Sequence, residues 1–254
     1  MIDIHSHILP GVDDGAQRLV DSIDMAKMAV EEGITKIIAT PHHQNGKYTN
    51  KKADIIERVV ELNHQLQKEN IALEVLPGQE TRIYGEILQD LEKDDILPLN
   101  HSNYLFVELP SGHVPRYTEQ LLYDIQLKGL TPIIVHPERN AEVMENSDIL
   151  FNLVNKGALT QVTAGSLTGH FGKKIQKFSM QLVEAQLTHF VASDVHNVSS
   201  RAFRLRDSYA KLQAEFGGQA VYYFQENAEL VVQGLTVYRE TPGRVKRKKI
   251  LGIF

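Results

Sequence analysis

Histidines and carboxylates recur in this chain just beyond short apolar runs. His5 and His7 stand one residue apart near the start, His42 follows Thr40-Pro41, and Glu80 follows Pro77-Gly78-Gln79. Glu108 lies near the end of an apolar run, His136 follows Ile133-Ile134-Val135, and Asp194 and His196 again stand one residue apart. In an extended strand alternate residues point the same way, so each of the pairs His5/His7 and Asp194/His196 can face one ion. Clustered carboxylates repel one another and buried imidazoles prefer to be neutral, so gathering these groups is costly unless cations neutralise them. Mixed imidazole and carboxylate donors suit Mn, Zn or Fe more than Ca or Mg. More donors than one site can use imply two or three ions with bridging carboxylates. Each residue also has a plainer role open to it: a strand-end histidine can be a hydrogen-bonded structural residue, and Asp13 or Asp14 beside Gly15 can hold a turn. His43, His64, His101, His113, His170 and His189 are read as structural, with His113 in a segment able to loop over the site.

The elements that must position these groups follow from periodicity. Strand-like apolar runs fall near residues 2–5, 36–40, 73–76, 104–109, 132–135, 159–163 and 190–192. Between the first two, Leu19, Ile23, Ala26, Val30 and Ile34 recur at helical spacing, and Gly33 stands where a C-cap glycine belongs. Similar faces lie at Ile55, Val59, Leu62 and Leu66, at Leu121, Leu122 and Ile125, and at Ile175, Phe178, Leu182 and Ala185. Strand, helix, strand at roughly thirty-residue intervals implies a parallel sheet, and this many units in a chain of 254 residues matches a closed (β/α) barrel. The competing doubly wound sheet loses weight because His5-Ser6-His7 stands where a glycine-rich dinucleotide fingerprint would follow the first strand. In a parallel barrel all strand C-termini open on one face, so the histidines and acids converge there; only the run ending at Thr163 brings none.

Composition excludes other chemistries. The chain has no cysteine, hence no thiolate zinc site, iron-sulfur cluster or cysteine nucleophile. Its net charge of -5 argues against a general polyanion binder, nucleic acid included. No N-terminal leader pattern and no apolar run of spanning length is seen, so a soluble cytoplasmic protein without stable membrane insertion is expected. Residues 1–240 read as one domain. Residues 241–254 begin with the breaker Thr241-Pro242-Gly243 and continue into a basic run through Lys249, read as a solvated tail, with docking to an acidic partner or anionic lipid as the alternative.

The set His5-Ser6-His7, Thr40-Pro41-His42, Gly78-Gln79-Glu80, Val107-Glu108-Leu109, His136-Pro137-Glu138-Arg139 and Ser193-Asp194-Val195-His196-Asn197 resembles the motifs of the PHP (polymerase and histidinol phosphatase) superfamily. More narrowly, the opening residues 1–8 with Val12-Asp13-Asp14-Gly15, together with the His136–Arg139 segment, resemble the bacterial CpsB/CapC-type tyrosine-protein phosphatases. The resemblance covers the chain to about residue 240. It implies a distorted seven-stranded TIM-like barrel holding three divalent metal ions, manganese by usual assignment with Fe or Zn as alternatives. The implied activity is removal of phosphate from phosphotyrosine proteins, among them a membrane-associated bacterial tyrosine kinase. Carried over by motif, His5, His7, Asp14, His42, Glu80, Glu108, His136, Asp194 and His196 would be metal ligands, with Asp13 the alternative to Asp14. Arg139 and Arg201 would bind the phosphate. Asn140 departs from the aromatic residue often found there in relatives.

The chemistry expected of such a site is in-line attack on phosphorus by a hydroxide held between two metals, while metals and arginine neutralise the equatorial oxygens. A phenolate with a pKa near about 10 leaves with little help, and a water or His196 could supply the proton. A guanidinium fork suits two phosphate oxygens, although Arg139 and Arg201 could equally be surface salt-bridge residues. Rival readings are a small-molecule phosphomonoesterase similar to histidinol phosphatase, a nuclease-like phosphodiesterase, and a non-catalytic metal-dependent binding module. Sequence leaves the metal, the phosphoprotein substrate and the oligomeric state open.

Overall fold

In the computed structural model, which describes residues 1–246, the expected alternation of strands and helices is present. The chain opens with β1 (Ile2–Ser6), α1 (Leu19–Glu32) and β2 (Lys36–Ala39), then β3 (His42–His43), α2 (Lys52–Lys68), β4 (Glu74–Pro77) and β5 (Glu80–Arg82). Next come α3 (Ile87–Glu92), β6 (Tyr104–Glu108), α4 (Thr118–Leu127), β7 (Thr131–Val135), α5 (Ala141–Glu145), α6 (Asp148–Asn155) and β8 (Leu159–Thr163). The chain continues through α7 (Ala164–Leu167), α8 (Lys173–Glu184), β9 (Phe190–Ala192), α9 (Leu205–Phe216) and α10 (Gly218–Val232). Helix α1 shows how local sequence sets these bounds. Its first turn is fixed by Arg18 and Asp21, whose carboxylate accepts from the Arg18 backbone N–H at 2.9 Å, and Ser22, Ile23, Met25, Ala26 and Ala29 form its buried face. It ends where Gly33 takes a left-handed conformation, φ 83°, that a side chain would strain.

Every strand pairing among the described residues is parallel. The order is β1-β2-β4 in one sheet and β3-β5-β6-β7-β8-β9 in a second. The seven-run expectation of one closed barrel is therefore met as a mixed α/β fold with parallel sheets and corrected in its closure: among the described residues no continuous ladder runs round a ring. The breaks have a local cause. Strand β3 follows β2 after Thr40-Pro41, and proline has no N–H for a ladder; β5 follows β4 after Gly78-Gln79. At the opposite side, β1 meets the chain beyond β9 through a single bridge between Ser6 and Val195, where the His7 N–H donates to the Val195 carbonyl at 2.9 Å.

Both sheets share a core. Ile4, Ile38, Leu76, Phe106, Ile133, Leu159 and Phe190 pack as one buried cluster, to which α10 adds Ala228 and Val231. Ile37, Val75, Leu105, Val107, Ile134 and Val191 belong to a larger apolar layer shared with the helices. This packing holds the parallel strands with their C-terminal ends along one edge. The described residues after the breaker make surface contacts with the body of the fold. Gly243 N–H donates to the Ala185 carbonyl at 2.8 Å, Arg244 pairs with Asp148 on α6 at 2.6 Å and lies over the Phe151 ring, and Lys246 pairs with Glu184 on α8. The remaining run, Arg247-Lys248-Lys249, lies outside the described residues. No helix among the described residues is long and apolar enough to cross a membrane.

Candidate metal centre

The strand ends gather the polar residues singled out by the sequence. His5 is the penultimate residue of β1 with His7 just beyond its end, His42 lies on β3 opposite Glu80 on β5, Glu108 ends β6, His136 follows β7, and Asp194 and His196 follow β9. Three donor groups result: His7, Asp14, His42 and His196; His5, His7 and Glu80; and His42, Glu80 and Glu108. They share His7, His42 and Glu80, so they form one contiguous cluster. The neighbours Asp13 and Asp14 are placed differently. Asp13 is buried and its Oδ2 lies 2.7 Å from His7 Nδ1, outside these groups, whereas the half-exposed Asp14 carboxylate stands 3.4 Å from Nε2 of both His42 and His196.

Spacing tests whether cations fit. His5 Nε2 lies 3.4 Å from Glu80 Oε2 and 3.5 Å from Asp194 Oδ1; His7 Nε2 lies 3.3 and 3.4 Å from the same two oxygens. Donors held about 2.1 Å from one ion stand roughly 3.0–3.4 Å apart, so these separations are those of neighbouring ligands. The Nε2 atoms of His5, His7 and His196, Nδ1 of His42 and Oε2 of Glu80 are buried and make no hydrogen bond. Burying so many unpaired polar atoms is costly, and a divalent cation supplies the missing partner.

The field agrees. Burial alone would raise Glu80, yet His42 and His5 beside it hold its carboxyl well below the usual range. Burial and the neighbouring Glu80 push Glu108 up to about 7. Burial opposes protonation of His42, but Glu80 and Asp14 raise it to about 10, the response of an imidazole in a strongly negative site. Burial, helped by Arg139, pushes His136 down to about 4; burial, helped by His7, does the same to His196. Two of the site residues, His136 and Asp194, have φ of 35° and 52°, in the left-handed region that non-glycine residues rarely occupy.

Arg139 and Arg201 stand beside the cluster, each partly buried and paired with Asp194. Their Nη2 atoms lie 2.5 and 2.8 Å from Oδ2 of Asp194, while Oδ1 of that carboxylate faces the imidazoles. Both line a cleft of about 180 Å³ with His42, Glu108, His136 and Asp194, and the Nε atom of each arginine is buried without a hydrogen-bond partner. Asn140 also lines it. Its side chain caps α5 by accepting from the Val143 N–H at 2.9 Å and clamps the preceding loop by donating to the carbonyls of Pro110 and His113.

Other residues are kept apart. Glu138 of the His136–Arg139 segment is buried away from the donor groups, accepting from Thr163 N–H and Ser166 Oγ at 2.9 and 2.6 Å. His113 is exposed, His43 is buried near the Tyr84 ring, and His189 accepts a backbone hydrogen bond from Thr160. Two contributors escaped the sequence reading. Arg82 Nε lies 3.1 Å from Glu108 Oε2, and Gln161 Oε1 lies 2.9 Å from His5 Nδ1. The signal for both was a polar residue inside a strand: Arg82 two positions after Glu80, and Gln161 between Leu159 and Thr163.

A family model described as capsular polysaccharide synthesis, CpsB/CapC, matches residues 1–233. The chain is 55% identical to the tyrosine-protein phosphatase YwqE of Bacillus subtilis (strain 168) over 254 residues, 100% of each chain. It is 38% identical to CapC of Staphylococcus aureus over 256 residues, again 100% of each. A solved structure described as YwqE from Bacillus subtilis and CpsB from Streptococcus pneumoniae, unique metal-dependent tyrosine phosphatases, matches with a TM-score of 0.95 and 55% identity, covering 97% of this chain and 100% of that one.

Proposed function

The chain belongs to the CpsB/CapC family of capsular polysaccharide synthesis, and on that premise we propose that it is a metal-dependent tyrosine-protein phosphatase acting on a bacterial tyrosine kinase and its substrates. The observation that carries this reading is the meeting of two features at Asp194: a buried imidazole and carboxylate cluster on one carboxylate oxygen, two arginines on the other. The proposed ligands are His5, His7, Asp14, His42, Glu80, Glu108, His136, Asp194 and His196. Three overlapping donor groups support three ions, and the imidazole and carboxylate mixture supports manganese, with iron or zinc as alternatives. Bound there, divalent ions would acidify water and shield the charge of the phosphoryl group.

The protein's own part is positioning. Arg139 and Arg201 are anchored by Asp194 through Nη2 and line the cleft, where their guanidinium groups are proposed to meet the phosphate oxygens. Leu109, Val135 and Pro137 give the same cleft an apolar wall for a tyrosyl ring. A phenolate with a pKa near about 10 needs little protonation to leave. His196, pushed down to about 4 by burial, is therefore assigned to holding ions rather than to donating a proton. The two sheets are read as seven strand positions of a distorted barrel, with β2/β3 and β4/β5 each one interrupted strand and the Ser6–Val195 bridge joining the ends. The partner proposed is a membrane-associated kinase met on its cytoplasmic side.

The test is a substrate panel: manganese-loaded protein on a phosphotyrosine peptide, histidinol phosphate and a DNA oligonucleotide. The phosphatase reading expects the phosphopeptide to be turned over with the highest kcat/KM. Faster turnover of histidinol phosphate would make it a small-molecule phosphomonoesterase, and no turnover of any would leave a metal-dependent binding module.

A further inference from the structure

Strand β8 sends neither imidazole nor carboxylate to the donor groups, yet Gln161 at its centre is fully buried with its Oε1 2.9 Å from His5 Nδ1. Its amide Nε2 is buried without a hydrogen-bond partner, a cost that an apolar side chain of similar size would avoid. What that cost secures is visible in the neighbouring histidines. His7 Nδ1 faces the Asp13 carboxylate at 2.7 Å, and His196 Nδ1 faces the Asp194 carbonyl at 3.0 Å. An acceptor at Nδ1 places the single proton of a neutral imidazole there and leaves Nε2 with a bare lone pair. In all three residues that Nε2 is the buried atom without a hydrogen-bond partner beside the carboxylates.

We propose that Gln161 is a positioning residue that holds His5 in the Nδ1–H tautomer, so that its Nε2 is presented as a donor to the ion shared with His7 and Glu80. A neutral amide does this where another acid would be costly: Asp13, Glu80, Glu108 and Asp194 are already buried close together, and a further carboxylate on β8 would add to their repulsion. The register explains why the residue reaches the site, since Gln161 pairs with Val135, one residue before His136.

This inference rests on the metal reading, and its test separates the two. Ring 15N shifts of His5 are read by long-range 1H–15N correlation in the full chain before zinc is added, and zinc affinity is then measured by chelator competition, for wild type, Gln161→Leu and Gln161→Glu. Wild type is expected to carry the proton on Nδ1. Gln161→Leu is expected to shift His5 toward the Nε2–H form and to weaken zinc binding by about 10–100-fold, and Gln161→Glu, which keeps an acceptor, to restore the Nδ1–H tautomer. An Nε2 proton on His5 in wild type overturns the proposal whether or not the leucine variant folds. So does a Gln161→Leu protein with unchanged tautomer and affinity. A wild-type chain that takes up no zinc while His5 keeps Nδ1–H would refute the metal reading and leave the tautomer assignment standing.

Discussion

Asp194 divides its carboxylate between two tasks, Oδ1 toward His5, His7 and His196, and Oδ2 toward Arg139 and Arg201. Removing one arginine should therefore damage phosphate binding while the other still neutralises Asp194. Arg139→Ala is expected to lower kcat/KM for a phosphotyrosine peptide by about 10²–10³ with ion content unchanged, and Arg139→Lys to restore little of it, because a lysine has no fork for two oxygens. A loss under twofold, measured with ion content by atomic emission, would remove Arg139 from the site. Asp13→Ala is expected to weaken ion binding by about 10–100-fold through His7, as read by chelator competition; unchanged affinity would reduce Asp13 to a turn residue. At this scale the sequence exposed residues whose type is costly to bury, such as Glu108 in an apolar strand. It did not separate Asp13 from Asp14, since both precede Gly15 and only the folded loop shows which one faces His7 Nδ1. Arg82 and Gln161 were hidden because they act through another residue's side chain.

Elements were legible where local chemistry marked them and hidden where it did not. Gly33 announced the end of α1, but the two-residue β3 and three-residue β5 are too short to show any period. Their placement depends on close packing at the breaks. A Cβ on Gly78 would stand 2.6 Å from Ile38 Cγ2 and 3.0 Å from Leu99 Cδ2. Gly78→Ala is thus expected to cost about 1–3 kcal/mol by overpacking, seen as a thermal midpoint lower by several degrees, and an unchanged midpoint would show that β4 can shift freely. At the other end of β9, burial, helped by Arg239, pushes His189 down to about 3. The unfolded chain takes up a proton below about 6.5 and the folded one does not until near 3. Stability is therefore fully present above pH 6.5 and falls, by at most about 1.4 kcal/mol per unit, as pH drops toward 3. Thermal melts between pH 7.5 and 4.5 should show a steeper loss for wild type than for His189→Asn; parallel curves would contradict the shift.

The whole chain carries a net charge of -5 and no cysteine, so any phosphatase chemistry here avoids a cysteinyl-phosphate. The composition and the roughly thirty-residue strand-helix rhythm made the parallel α/β fold readable. Closure was not readable, because whether ladders join across Pro41 and between Ser6 and Val195 depends on hydrogen bonds that no sequence period reports. In the basic segment, the exposed Arg244 and Lys246 pair with Asp148 and Glu184 on helices far away in sequence. Such exposed pairs contribute little. Deleting residues 244–254 should therefore leave hydrolysis of a small aryl phosphate unchanged, and a large drop would mean that the segment supports the site. The central claim, that buried imidazoles and carboxylates serve hydrolysis of phosphotyrosine by holding divalent ions, has a direct test. Phosphopeptide hydrolysis is measured on the manganese-loaded chain, again after chelation, again after manganese is returned, and in parallel with a thiol-alkylating reagent. The account predicts activity that chelation abolishes, that manganese restores, and that the thiol reagent leaves untouched; full activity in the ion-free chain would contradict it.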